Sequence, residues 1–254
     1  SAAKEAQGPM GNALLYQAVL AQQVPLAQAE ALKLAFGHAQ ETGGSFAAAA
    51  RLYAPQLMAL QPDDTMAWFR GTAARALLVI GRLDAAKLWI GLARSQAVPE
   101  RPESGRPAAR LALLLQLADP QATTPLPLLD LKAWWEAAGD GITPEQRAAR
   151  ATFLFTLLDS LGQPVPDEMW QPLLGQAGIT AVAMPDPALR QGLLGAAAAN
   201  RLGETVLLSL LNLGSGPAAA DPATLSNVIR SLRKVGLEAD ARRLAVEAAL
   251  AHEL

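Results

Sequence analysis

Three cations and one amide share a face of a predicted helix late in the sequence. Arg230, Arg233 and Lys234 stand at positions i, i+3 and i+4, and Asn227 precedes Arg230 by about one helical turn. Guanidinium groups bind carboxylates through paired hydrogen bonds, so this face suits a carboxylate or an acidic peptide segment. A solvated face also explains it, because cations near a helix C-terminus are stabilised by the helix dipole.

Side chains that could perform catalysis are few. The sequence has two histidines, His38 and His252, and no cysteine. A Ser–His–Asp arrangement is therefore not predicted, and thiol catalysis, disulfides and thiolate zinc sites are excluded. No phosphate-binding loop, dinucleotide fingerprint or His-Glu-x-x-His helix occurs in the sequence. We predict a non-catalytic protein without a metal or another cofactor.

Tryptophans beside carboxylates leave a second function open. Trp134 and Trp135 precede Glu136, and Glu168 lies two residues before Trp170. Carboxylates carry out glycoside hydrolysis, so the alternative is a glycan-processing enzyme, or its helical accessory domain, in the cell envelope. Adjacent helical residues point about 100° apart. Trp134 and Trp135 are thus candidates for an exposed aromatic contact, for packing between lobes, or for self-assembly.

Composition predicts an all-α protein. Hydrophobic residues make up 51% of the sequence but aromatic residues only 5%, and the abundant alanine and leucine are strong helix formers. The net charge of −2 lacks the basic surplus of a nucleic-acid-binding protein. No apolar run approaches the roughly 18 residues of a transmembrane helix.

Two stretches of the sequence share one spacing, in which a glycine is followed by alanines five and twelve residues later. They are Gly81, Ala86 and Ala93 in the first stretch, and Gly236, Ala241 and Ala248 in the second. Glycine readily adopts the left-handed backbone that ends a helix. Alanines seven residues apart lie on one face of the next helix, where small side chains let the preceding helix pack closely.

This spacing resembles the tetratricopeptide repeat, a helix–turn–helix unit of about 34 residues. Segments around Gly44 and Gly203 are weaker matches. The resemblance implies stacked antiparallel helical hairpins in a right-handed superhelix; the alternative is an irregular helical bundle. It also implies that first-helix residues line a concave groove that holds partner peptides. Arg75 is then the first unit's equivalent of Arg230.

The pattern of glycine and proline predicts the domain organisation. Residues 1–11 are expected to form a flexible tail or linker, and residues 12–254 a single helical repeat domain. Three prolines and a glycine place a soft lobe boundary at residues 98–107. Arg242 and Arg243, on the last predicted helix, are expected to face solvent.

These observations favour a protein–protein interaction or scaffold module that binds a peptide or partner protein on its concave face. The basic face fits an acidic partner, and we expect a monomer that binds no nucleic acid. The sequence starts at Ser1 rather than at methionine, so we interpret its N-terminus as processed or cut. A cysteine-free chain fits the cytoplasm or the periplasm, and removal of a leader or anchor would favour the periplasm.

Overall fold

A computed structural model describes residues 8–41, 45–95, 106–122, 124, 126–138, 141–175, 186–252 and 254. Within these ranges the regular secondary structure is entirely helical, with fourteen α-helices and one 3₁₀ helix. The predicted all-α class is therefore confirmed. None of the helices in the described ranges has the length and apolar character needed to cross a membrane.

The chain divides into two compact units, Ser1–Leu115 and Gln116–Leu254. Unit 1 contains α1 (Gly8–Ala21), α2 (Pro25–Glu41), α3 (Phe46–Leu52), α4 (Ala54–Ala59), the 3₁₀ helix (Asp64–Phe69), α5 (Arg70–Val79), α6 (Leu83–Ser95) and most of α7 (Arg106–Ala118). Aromatic rings contribute to its core. Phe36 and Tyr53 meet edge to face with centroids 6.1 Å apart, as do Phe69 and Trp89 at 5.9 Å.

Unit 2 is built around one central helix. It contains α8 (Leu128–Ala138), α9 (Pro144–Ser160), α10 (Asp167–Leu174), α11 (Pro187–Ala198), α12 (Leu202–Leu213), α13 (Pro222–Lys234) and α14 (Glu238–Ala251). Helix α13 contacts α9, α11, α12 and α14. The Asp221 side chain caps α13, and Pro222 fills the first helical position, where its missing N–H would have no partner.

Both predicted hairpin turns are confirmed. Gly81 lies between α5 and α6 with φ = 74°, and Gly236 lies between α13 and α14 with φ = 84°. In each turn the next residue donates its backbone N–H to a carbonyl five residues earlier, Arg82 to Leu77 at 2.8 Å and Leu237 to Leu232 at 2.9 Å. This is the Schellman arrangement of a helix C-terminus. The alanines at offsets five and twelve, Ala86, Ala93, Ala241 and Ala248, are all buried.

A third hairpin, α11–α12, has the same register but turns at Asn200. Asn200 has φ = 55°, a left-handed conformation that asparagine tolerates better than most residues. Thr205 and Asn212, five and twelve residues later, occupy the buried small positions. The weak match centred on Gly203 was therefore out of register, because Gly203 lies inside α12. Gly44, at the other weak match, lies outside the described residues.

The structure describes part of the predicted N-terminal tail and little of the predicted lobe boundary. Helix α1 begins at Gly8, so residues 8–11 are helical rather than part of a tail, and Pro9 fits the first turn, where its missing N–H needs no partner. Residues 1–7 lie outside the described ranges. The predicted lobe boundary at 98–107 also lies mostly outside them, and the two compact units divide within α7. The soft boundary and the superhelix stay predictions.

Candidate functional site

The arginines of the predicted basic face are bound to partners within unit 2. The Arg230 guanidinium pairs with the carboxylate of Asp159, near the end of α9. Nε of Arg233 donates to Oε2 of Glu238 at 2.7 Å, and its Nη1 donates to the carbonyl oxygen of Ser160 at 2.9 Å. The arginines of the α13 face are therefore neutralised by one carboxylate that is distant in sequence, Asp159, and by one that follows directly after α13, Glu238.

The other predicted partner-binding residues have different surroundings. Lys234 is exposed and forms no ion pair with a described residue, while Asn227 is half-buried. Arg75 belongs to unit 1, and its Nε donates to the carbonyl oxygen of Gly71 at 3.1 Å. Surrounding protein, and then the charge of Arg110, lower the pKa of Arg75, although its side chain reaches solvent.

Arg242 is buried, contrary to the prediction that it faces solvent. It is 4% exposed, and its Nε donates to Oε1 of Glu238 at 2.7 Å. Its Nη1 donates to the carbonyl oxygen of Leu117 at 3.1 Å, in the last turn of α7. We call Glu238, Arg233 and Arg242 the Glu238 cluster. Burial alone would raise the pKa of Glu238, but the hydrogen bonds and charges of the two arginines lower it overall.

The adjacent tryptophans divide between the core and the surface. Trp134 is fully buried, with its ring centroid 6.4 Å from that of Phe155. It is therefore not the exposed contact that was predicted, because the inner face of α8 packs against α9. Trp135 is half-buried, and the guanidinium of Arg147 lies 4.8 Å from its ring centroid.

Glu168 and Trp170, one of the predicted pairs of carboxylate and tryptophan, each contact another residue of unit 2. Glu168 lies 3.9 Å from the ammonium of Lys132, and Trp170 packs edge to face on Phe155 with centroids 5.2 Å apart. Among the carboxyl groups that the structure describes, Asp63, Glu145 and Glu238 have a shifted pKa, and in all three the pKa is lowered. A glycosidase general acid needs the opposite shift. Across the described ranges, no three histidine or acidic side chains are grouped as they would be to hold a metal ion.

A recess of about 620 Å³ lies along one face of α2 in unit 1. Ala27, Ala31, Leu34 and Gly37 line it from the helix, and their spacing of four, three and three residues keeps them on one side. Trp68, from the 3₁₀ helix, lines it from another element. Three of these four residues are alanine or glycine, so another backbone can approach this side of α2 closely.

Trp68 is held in place by contacts on several sides. Its Nε1 donates to the carbonyl oxygen of Thr65 at 3.1 Å, and its ring centroid lies 5.6 Å from that of Phe69. Phe69 is itself buried against Trp89. The ammonium of Lys33 lies 5.0 Å from the Trp68 ring centroid, within cation–π range. The ring is nevertheless 40% exposed.

Two carboxylates give the recess its charge. Glu30 and Glu41 both line it and are exposed, and they stand eleven residues apart on α2, or about 16 Å along its axis. Neither forms an ion pair with a residue that the structure describes. Lys33 already lies over Trp68, so the charge available to a ligand at this recess is mainly negative.

Comparison with known proteins gives no further guide to this site. No model of a protein family, no curated protein and no solved structure matches the chain. The likeness to the tetratricopeptide repeat is therefore one of residue spacing, and the recess must be interpreted from its own chemistry.

Proposed function

We propose that this chain is a non-catalytic interaction module whose α2 recess binds a peptide segment of a partner protein. The observation that carries the proposal is the fixed, partly exposed ring of Trp68 beside a floor of small apolar residues. Ligand sites commonly enclose about 300–1,000 Å³, and this recess lies within that range. Its open side suits a chain segment more than a small enclosed molecule.

The chemistry of the recess specifies the segment. An apolar side chain of the peptide would pack on Leu34 and Trp68, and the small residues Ala31 and Gly37 would let its backbone approach α2. Because the available charge comes from Glu30 and Glu41, a lysine or arginine beside that apolar residue would gain a partner. We therefore propose a basic, apolar segment, in place of the acidic partner that the α13 arginines indicated.

Selection from a random peptide library displayed on phage tests this proposal. We expect wild-type protein to enrich peptides with an apolar residue flanked by lysine or arginine, whose affinity is then measured by fluorescence anisotropy. Trp68→Ala removes the aromatic ring that lines the recess, and Ala31→Arg fills the space beside α2. Each should weaken binding at least about tenfold, equivalent to about 1.4 kcal/mol. Circular dichroism verifies that each variant remains folded.

The matched control is Trp135→Ala, which removes another partly buried tryptophan that a cation covers. It should leave the affinity unchanged. Glu30→Lys combined with Glu41→Lys should shift selection toward acidic peptides. The proposal is overturned if no peptide is enriched, or if Trp68→Ala and Ala31→Arg bind as wild type does.

A further inference from the structure

Helix α12 presents leucines to solvent and buries its polar residues. Thr205, Ser209 and Asn212 face the interior of unit 2. The outer side carries Leu207, Leu210 and Leu211, which are 58%, 62% and 51% exposed. This arrangement is the reverse of an ordinary surface helix, whose apolar stripe faces the core.

Hydrogen bonds along the helix make this orientation stable. Thr205 and Ser209 donate their hydroxyls to carbonyl oxygens four residues earlier, at 2.8 and 2.7 Å. Asn212 donates its amide N–H groups to the carbonyl oxygens of Leu208 and Leu189, at 2.8 and 3.2 Å. Because each inward polar side chain donates a hydrogen bond, its burial costs little. A rotation of the helix that buried the leucines instead would therefore gain little free energy. The inward polar residues are therefore satisfied in the orientation that leaves the leucines exposed.

The α11–α12 and α13–α14 hairpins can be compared residue by residue, counting from the turn of each, and the comparison shows that, among the described residues, α12 lacks a neighbouring helix that α14 has. Leu210 stands ten residues after the turn at Asn200, and Val246 stands ten residues after the turn at Gly236. Val246 is fully buried because α14 packs against α9 as well as α13, whereas α12 packs against α11 and α13 and leaves Leu210 open. Stacked helical hairpins normally cover such an edge with another hairpin or a polar cap. In the described part of the chain no helix covers this edge, and leucines rather than polar residues occupy it.

We infer that the leucine face of α12 binds the same face of a second copy of this chain, forming a two-fold symmetric dimer. Two charged residues lie at the N-terminal end of α12, Arg201 and Glu204, and they pair with each other at 2.6 Å. The face therefore carries no unpaired charge that calls for a charged partner, and two copies meet without repulsion. Leu207, Leu210 and Leu211, at i, i+3 and i+4, can interdigitate with an antiparallel copy.

The space around Gly203 allows this pairing, and the short length of α12 limits its strength. Gly203 lies among these leucines on the outer side of α12, and no atom lies within 4 Å of the position that a Cβ would take. A second backbone can therefore approach there. The helix has 12 residues, so it is about 18 Å long, and its face is smaller than the roughly 800 Å² per partner of a standard interface. We expect a weak, concentration-dependent dimer, in contrast to the monomer that the sequence predicted.

Analytical ultracentrifugation of the full chain over a range of concentrations tests the inference. The mass of wild-type protein should rise from that of one chain toward that of two. Leu207→Lys combined with Leu210→Lys should weaken self-association at least about tenfold. Leu88→Lys is the matched control, because Leu88 lies seven residues after its turn, as Leu207 does, and is 56% exposed. It should associate as wild type does.

Cysteine cross-linking tests the symmetry directly, because the chain has no native cysteine. Leu207 is near the middle of the face, so Leu207→Cys should oxidise to an interchain disulfide, which requires Cα atoms within about 7 Å. Leu88→Cys should not. The inference is overturned if wild type stays monomeric at all concentrations, if Leu88→Lys dissociates as readily as the α12 variant, or if both cysteines cross-link equally fast.

Discussion

Arg233 and Arg242 bind the two oxygens of a single carboxylate, that of Glu238, each at 2.7 Å. Each arginine also donates to a backbone carbonyl near the end of another helix, Ser160 of α9 and Leu117 of α7. Glu238 itself begins α14, where a helix dipole favours negative charge, and the arginines lie where dipoles favour positive charge. The Glu238 cluster therefore joins the C-terminal ends of α7, α9 and α13 to the start of α14.

Glu238→Gln should destabilise the protein measurably. The substitution leaves two guanidinium groups without a charged partner, and Arg242 is almost completely buried. We expect a loss on the order of 2 kcal/mol in the free energy of unfolding, below the roughly 3–5 kcal/mol of a fully buried pair because the Glu238 side chain is 35% exposed. Urea denaturation measures it. Asp159→Asn, which removes the exposed pair with Arg230, should cost less than about 1 kcal/mol.

The Glu238 cluster should also make stability sensitive to acid. The pKa of Glu238 is lower in the folded protein than its ordinary value of 4.5. Its contribution is therefore fully present above about pH 4.5 and is lost as the pH falls through the lower, folded pKa. Urea midpoints measured between about pH 6 and pH 3 should fall less steeply for Glu238→Gln than for wild type. If the urea midpoints of the two proteins fall equally steeply with pH, the arginines do not stabilise the ionised form of Glu238 as described.

His252 predicts a separate pH dependence at higher pH. Its ring lies 3.9 Å from that of Phe153, and burial lowers the pKa of His252 below its ordinary 6.5. The unfolded chain then binds a proton more readily than the folded chain, so stability is full above about pH 6.5 and falls as the pH drops from there to the folded pKa. Thermal melts at about pH 7.5 and pH 5.5 should differ less for His252→Phe than for wild type. Histidine-specific NMR titration gives the folded pKa directly.

The sequence predicted the fold better than the site. The all-α class and the turns at Gly81 and Gly236 depend on local propensity and backbone conformation, which a short stretch of sequence contains. Arg230 and Arg233 were correctly placed on one helical face. Asp159, which pairs with Arg230, is about seventy residues away, so no local pattern could show that pair. Glu238, which pairs with Arg233, is only five residues away and could have been considered.

Some features had a local signal that was overlooked. Glu238 and Arg242 stand at i and i+4, the spacing of a helical ion pair, so their pairing could have been predicted, although the burial of Arg242 could not. The α2 recess is different, because Trp68 reaches it from an element about thirty residues further on, and only tertiary packing brings the two together. The register of α11–α12 was hidden because a non-glycine residue, Asn200, supplies its left-handed turn.

The left-handed turns predict opposite effects for two similar substitutions. A Cβ added at Gly236 or at Gly91 would meet no atom within 4 Å, so space does not distinguish the two positions. Gly236 has φ = 84°, and alanine there should cost about 1–2 kcal/mol. Gly91 lies inside α6, where alanine should stabilise by about 0.5–1 kcal/mol. By the same logic Asn200→Gly should stabilise slightly. Urea denaturation of the three variants measures each change, and a stabilising Gly236→Ala would contradict the hairpin geometry described for α13 and α14.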